Sequence, residues 1–182
     1  PIDPVQMGNI TKKLSTGVAM MNFFGHSSAA GFDIGVDEPS KWNNKGKYPF
    51  VLGNGCHAGD LFTTIPSFAE IAVTTPNSGA IAFLSTTGVG LDAYLYRYMR
   101  ELYVSIAKDN YGKSFAFQMK KAVAALDKKS DNLFDEYVSY QMNLNGDPCL
   151  KVTSFDKPEI EIHEEDVFFT PKNINPVSYT HL

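Results

Sequence analysis

The chain has 182 residues, of which 43% are hydrophobic and 20% charged, with a formal net charge of −4 and a pI near 5.5. That apolar share excludes a disordered chain, and no run approaches the roughly 18 apolar residues of a spanning helix, so no membrane insertion is expected. The acidic balance argues against a nucleic-acid surface, and two cysteines, Cys56 and Cys149, cannot build a disulfide scaffold.

The first residues, Pro1-Ile2-Asp3-Pro4, lack the basic start and apolar stretch of a secretion signal. With no initiator Met, the chain reads as part of something longer. Residues 18–24 form a nearly continuous apolar run that stops at Gly25. A second run covers 48–52 and stops at Gly53-Asn54-Gly55, and a third covers 80–84 and stops at Ser85-Thr86-Thr87-Gly88. Short, uniformly apolar runs closed by glycine and small polar residues predict strands buried on both faces of a parallel sheet.

Helical patterns lie between and after them. Ser67-Phe68-Ala69-Glu70, with Pro66 before it, has the form of a capping box and predicts a helix to about residue 75. From Leu91, the positions Leu95, Met99, Leu102 and Ile106 form one stripe, with Asp92 as the expected cap. Phe115, Met119, Ala122, Val123 and Leu126 form another, its lysines on the wet side. The aromatics Tyr94, Tyr96, Tyr98 and Tyr103 are expected to pack, and 133–140 reads as a shorter helix. Strands alternating with helices predict an α/β layered fold.

The pattern changes after Gly146-Asp147-Pro148, where Asp147 is expected to form a turn. Residues 150–153 read as a further strand, with Cys149 a small buried residue. Residues 159–163 alternate polar and apolar, as a strand with one wet face does. On this reading 1–153 belong to an α/β domain, 154–175 open an all-β domain, and 176–182 are a non-native tail resembling translated adapter read-through.

Two residues that can do chemistry stand where the first two strands end: His26 after Gly25 and Cys56 after Gly55. Ligands of an open α/β sheet gather at the carboxyl ends of its strands. If the two strands are neighbours, about 5 Å apart, the imidazole and thiol come within reach. A thiol needs a base to become a nucleophile at neutral pH, and imidazole suits that task. The flanking glycines let the backbone approach a substrate carbonyl, with the N–H groups of Ser27 and Cys56 as candidate oxyanion donors. Taken alone, Cys56 also reads as a small hydrophobe and His26 as a hydrogen-bonded strand-end residue. Thr86 and Thr87, with Gly88 and Gly90, end the third strand and are candidates to line the same cleft. His57 is expected to be a loop residue and Asp60 to brace that loop. Trp42 and Tyr48 either wall a pocket or cover the sheet. No Gly-Lys-Ser or Gly-Lys-Thr follows a glycine-rich loop, and there is no zinc spacing, so neither a phosphate cofactor nor a metal is expected.

Five stretches resemble a known family in order, over about residues 15–153. Asn22-Phe23-Phe24-Gly25-His26-Ser27-Ser28 is similar to the His motif of the gingipain-type cysteine peptidases, relatives of the caspases. Asn54-Gly55-Cys56-His57-Ala58-Gly59-Asp60 is similar to their nucleophile motif. Ser67-Phe68-Ala69-Glu70, Gly79-Ala80-Ile81-Ala82-Phe83-Leu84-Ser85 and Asn145-Gly146-Asp147-Pro148-Cys149-Leu150 resemble the following helix, the next strand and the closing Gly-Asp-Pro signature. The resemblance implies a caspase-like three-layer α/β sandwich followed by an immunoglobulin-like β-sandwich. It implies Cys56 as nucleophile, His26 as general base and acid, a polypeptide substrate and no cofactor. It also implies an exported bacterial protein, secreted or on the cell surface, with secretion-machinery partners of the type IX route and a sortase-like transpeptidase as the alternative activity. Two positions depart from the family: Ser27 stands where glycine is usual, and Phe32, a further substrate-binding candidate with Gly25 and Gly55, where tryptophan is. The acid orienting the histidine and the specificity residue belong to the preceding half of the family domain and are assigned to no residue here. A non-catalytic scaffold and a flavodoxin-like ligand carrier are the competing classes.

Overall fold

A computed structural model describes residues 4–152; the expected all-β opening at 154–175 and the tail at 176–182 lie outside the described residues. A sheet of four strands runs in the order β1 (Met20–Phe24), β4 (Phe50–Asn54), β5 (Ala82–Thr86), β6 (Met142–Gly146). The first three are parallel, and β6 is antiparallel to β5. A small antiparallel hairpin, β2 (Ser27–Ser28) and β3 (Gly31–Phe32), follows β1.

Every residue of β4 and β5 is buried, as required of parallel strands covered on both faces. Alternation along the strands splits the core in two. Leu52 and Leu84 face one layer with Leu95, Tyr98, Leu102, Phe115, Leu126 and Val138. That layer is α3 (Asp92–Val104), α4 (Phe115–Lys129) and α5 (Leu133–Gln141). Val51 and Phe83 face the other, where Leu14 of α1 (Pro4–Thr16) and Phe68, Ala69 and Ala72 of α2 (Phe68–Thr74) pack with Phe23, Phe32 and Trp42. The expected three-layer α/β architecture with a mostly parallel sheet is therefore present. Among the described residues no helix is long and apolar enough to cross a membrane.

The strands and helices read from periodicity form within about two residues of the expected spans. Four expectations change. The strand expected at 150–153 is absent over 150–152; there the carbonyls of Pro148 and Leu150 instead accept the Ala116 and Phe115 amides at the start of α4, at 3.1 and 2.7 Å. The sheet takes Met142–Gly146, whose two asparagines and short length hide a strand, and Gly146 (φ 129°) is needed because a Cβ there would meet the Ala82 Cβ at 2.7 Å. Cys149 is exposed, not buried, because Asp147 turns the chain outward: its Oδ1 accepts the Cys149 amide at 2.8 Å. Tyr96 is exposed, whereas Tyr98 is fully buried and Tyr94 and Tyr103 pack partly. Leu91, rather than Asp92, is the N-cap of α3, and the Asp92 carboxylate accepts the Ala93 amide from inside the first turn. The helix α1 had no clear signal in the sequence; it ends at Gly17 (φ 104°), whose amide returns to the Lys13 carbonyl. Trp42 is a core residue, 1% exposed, with its indole N–H donated to the Val36 carbonyl at 2.9 Å.

Candidate active site

Because β1 and β4 are parallel and in register, Phe24 beside Asn54, the two chains leave the sheet together at the same edge. The Gly25 amide donates to the Asn54 carbonyl at 3.0 Å, and the buried Asn54 side chain donates to the Asn22 side chain and the Phe23 carbonyl. Two residues beyond the Phe24–Asn54 pair come His26 and Cys56. Both border a cleft of about 370 Å³, together with Phe24, Gly25, Gly55 and Gly90 and, at the start of α3, Leu91, Asp92 and Leu95. His26 is exposed and Cys56 partly buried.

The loops carrying these residues are held by the first turn of α2. A helix N-terminus has amides with no partner inside the helix. Here the Phe68 amide donates to Ala29 in the His hairpin (2.8 Å) and the Ala69 amide to Ala58 in the Cys loop (2.9 Å). The expected capping pair sets that start, with Glu70 Oε2 accepting from the Ser67 amide and hydroxyl at 2.8 and 2.9 Å.

Around Cys56 the backbone is tightly tied. The Ser27 hydroxyl donates to the Cys56 carbonyl at 2.8 Å. The Thr86 hydroxyl lies 2.6 Å from the Gly55 carbonyl and 3.1 Å from that of Gly88. The His57 amide donates to the Gly88 carbonyl (2.8 Å) and the Gly59 amide to the Thr86 carbonyl (2.9 Å). The Gly90 amide points at the Cys56 sulfur, 3.4 Å away. Loops this close need their glycines: a Cβ on Gly55 would overlap the Ser27 hydroxyl, and one on Gly90 would overlap the Gly55 carbonyl oxygen. His57 takes the left-handed conformation (φ 58°), which His tolerates better than most residues. Its ring sits 3.2 Å from Asp60, whose other oxygen accepts the Phe62 amide, so Asp60 braces the loop.

The two candidate oxyanion donors are not consumed. Among the described residues no acceptor takes the Cys56 amide. In the hairpin the Asp33 amide donates to the His26 carbonyl, so the next pair, Ser27 with Phe32, is the one whose amides face outward. The Phe32 amide accordingly donates to Asp37 Oδ1 at 2.9 Å, outside the hairpin.

The remaining candidates are distributed as follows. Gly25 and Gly55 border the cleft. Phe32 is 2% exposed; its ring stacks on Phe23 at 4.0 Å and meets Phe68 edge-on, while its residue borders a shallower hollow beyond His26 with Ser28, Gly31, Asp33 and Asp37. Burial raises the Asp37 carboxyl above its ordinary pKa, against the pull of the Phe32 amide, with the Asp33 and Glu38 carboxylates adding to the rise. Thr86 is fully buried, and Thr87, partly buried, gives its amide to the Gln141 carbonyl; neither borders the cleft. Leu91, Asp92 and Leu95 border it without having been expected to. The available signal was a helix start directly after the strand-ending glycines, the position from which an α/β sheet presents side chains to a ligand.

The sequence matches the model of peptidase family C25 over residues 3–153. No curated protein sequence matches it. Among solved structures the chain is similar to the Arg specific cysteine proteinase gingipain R (RgpB), with a TM-score of 0.71 and 22% identity over 82% of this chain and 36% of that one. It is likewise similar to the complex of Porphyromonas gingivalis RgpB pro- and mature domains, with a TM-score of 0.70 and 20% identity over 80% of this chain and 36% of that one. A third structure, described as a protease, gives a TM-score of 0.64 and 17% identity over 76% and 36% of the two chains. This chain thus spans about a third of the length of those proteins, and what it shares with them at such identities is the caspase-like α/β fold of the gingipains. On the family match, which covers most of its length, the chain belongs to peptidase family C25.

Proposed function

We propose that the protein is a cysteine endopeptidase in which Cys56 is the nucleophile and His26 the general base and acid. The observation that carries this reading is the placement of both residues on one open cleft, at the carboxyl ends of neighbouring parallel strands.

In this mechanism His26 takes the Cys56 thiol proton and the sulfur bonds to the substrate carbonyl carbon. The charge that develops on the carbonyl oxygen is received by the amides of Cys56 and Ser27, both free to donate. Collapse breaks the C–N bond, and His26 returns its proton to the leaving amine. The thioester is then attacked by water, whose proton passes to His26 as the thiol is restored. An amine in place of water makes the second half transpeptidation, the chemistry of sortase-like members of the family. Gly25 and Gly55 are assigned to the path of the substrate backbone, and the Phe32 main chain to its continuation beyond His26. Thr86 serves the site from behind the Cys loop, through its hydroxyl on the Gly55 carbonyl. No cofactor is assigned to the reaction. Following the family resemblance, the protein acts outside the bacterial cytoplasm, secreted or at the cell surface, on polypeptides delivered there with secretion-machinery partners.

The test uses the reduced full-length protein. A peptidyl acyloxymethyl ketone should label Cys56, and Cys56→Ala should abolish labelling and lower hydrolysis of fluorescein-casein by a factor on the order of 10⁴ or more. Hydrolysis persisting in that variant removes Cys56 as nucleophile.

A further inference from the structure

The amide that would receive the oxyanion is half of a rigid unit. A trans peptide is planar, with its C=O and N–H directed oppositely, so whatever holds the Gly55 oxygen also aims the Cys56 N–H. The Gly55 oxygen is held from within the protein. Thr86, the last residue of β5 and fully buried, places its hydroxyl 2.6 Å from that oxygen. The Gly88 carbonyl, at 3.1 Å, is the weaker acceptor for the single hydroxyl proton. The space for the Gly55 oxygen exists because residue 90 has no Cβ. The main chain of the same threonine accepts the Gly59 amide at 2.9 Å, so Thr86 grips the Cys loop on both sides of Cys56. The peptide after Cys56 is fixed separately, by the Ser27 hydroxyl on the Cys56 carbonyl and by the Gly88 carbonyl on the His57 amide.

We propose that the Thr86 hydroxyl is a positioning residue for the reaction: by anchoring the Gly55 carbonyl beneath the Cys loop, it directs the Cys56 N–H toward the transition-state oxyanion. The proposal rests on the reading of Cys56 as nucleophile. Without the hydroxyl, the buried Gly55 carbonyl has lost its donor and turns to find another, and the Cys56 N–H turns with it. The thiol itself keeps its surroundings, because the Gly90 amide still points at the sulfur.

Thr86→Val keeps the branched side chain and the main-chain bond to Gly59 while removing only the hydroxyl; Thr86→Ser keeps the hydroxyl. In the full-length protein with fluorescein-casein as substrate, Thr86→Val should lower kcat about 10- to 100-fold with KM within about twofold of the parent. Alkylation of Cys56 by iodoacetamide, which develops no oxyanion, should proceed at the parent rate, and Thr86→Ser should recover most of kcat. A parent-like kcat in Thr86→Val overturns the proposal, as does a Thr86→Ser variant as slow as the valine variant. A loss of alkylation parallel to the loss of kcat overturns it too, since the role would then be structural. The two readings separate cleanly: an active Cys56→Ala variant removes the nucleophile assignment, whereas an inactive Cys56→Ala variant beside a fully active Thr86→Val removes only the role given to Thr86.

Discussion

Gly55→Ala is the substitution whose effect follows most directly from the geometry. Gly55 does not occupy the left-handed region, so alanine brings no backbone penalty of that kind. The cost is steric. The added Cβ would overlap the Ser27 hydroxyl and lie 2.5 Å from the Gly25 carbonyl oxygen and 3.0 Å from the Ser27 Cβ. Carbon–oxygen contacts relax at roughly 3.3–3.6 Å, so the His loop and the Cys loop must separate by about 1 Å. Overpacking on that scale costs about 1–3 kcal/mol of stability, and a shift of about 1 Å between reacting groups costs about 10²-fold in kcat. Ser27→Gly removes two of the three obstructions, while giving up the hydrogen bond to the Cys56 carbonyl, worth about 1 kcal/mol. The double variant should therefore be more stable than the sum of the single changes implies, by about 0.5–3 kcal/mol. Urea unfolding and casein hydrolysis on the four proteins measure both quantities. A Gly55→Ala protein of parental stability and rate, or strict additivity in the cycle, would refute the argument that the two loops meet at this glycine.

Two further outcomes are expected. Phe32→Ala should cost about 3–5 kcal/mol in urea unfolding, because its ring lies at the centre of the aromatic cluster with Phe23, Phe68 and Phe83; a loss below about 1 kcal/mol would place the ring outside the core. Asp37 has a raised pKa in the folded protein, so the folded state holds its proton more tightly than the unfolded chain, and the residue's contribution to stability falls as pH rises from the ordinary carboxyl value through the raised one. Asp37→Asn, which keeps an acceptor for the Phe32 amide, should remove that fall and leave neutral-pH stability equal or higher. Asp37→Ala should remove the same slope and lie about 1 kcal/mol below the asparagine variant at every pH, because the Phe32 amide has lost its acceptor. Unfolding midpoints between pH 3 and 7 decide it, and an asparagine variant that keeps the parent's slope assigns the effect elsewhere.

What the sequence determined by itself was local. Uniform apolar runs ended by glycine marked β1, β4 and β5, and the Ser67–Glu70 pair marked the start of α2, since burial on two faces and satisfaction of helix-end amides each leave a fixed spacing in the chain. The same logic placed His26 and Cys56 at strand ends, which becomes a shared cleft once the two strands lie side by side. Where partners come from far along the chain, the spacing was silent. Met142–Gly146 is a strand because β5 offers it an edge, whereas the segment at Leu150 is not, because the start of α4 takes the Pro148 and Leu150 carbonyls. Phe32 falls into the aromatic core, and Thr86 turns its hydroxyl to the Gly55 carbonyl, 31 positions away. Such pairings depend on which surfaces the folded layers bring together, and that is decided by the whole sheet and its helices rather than by any segment read alone.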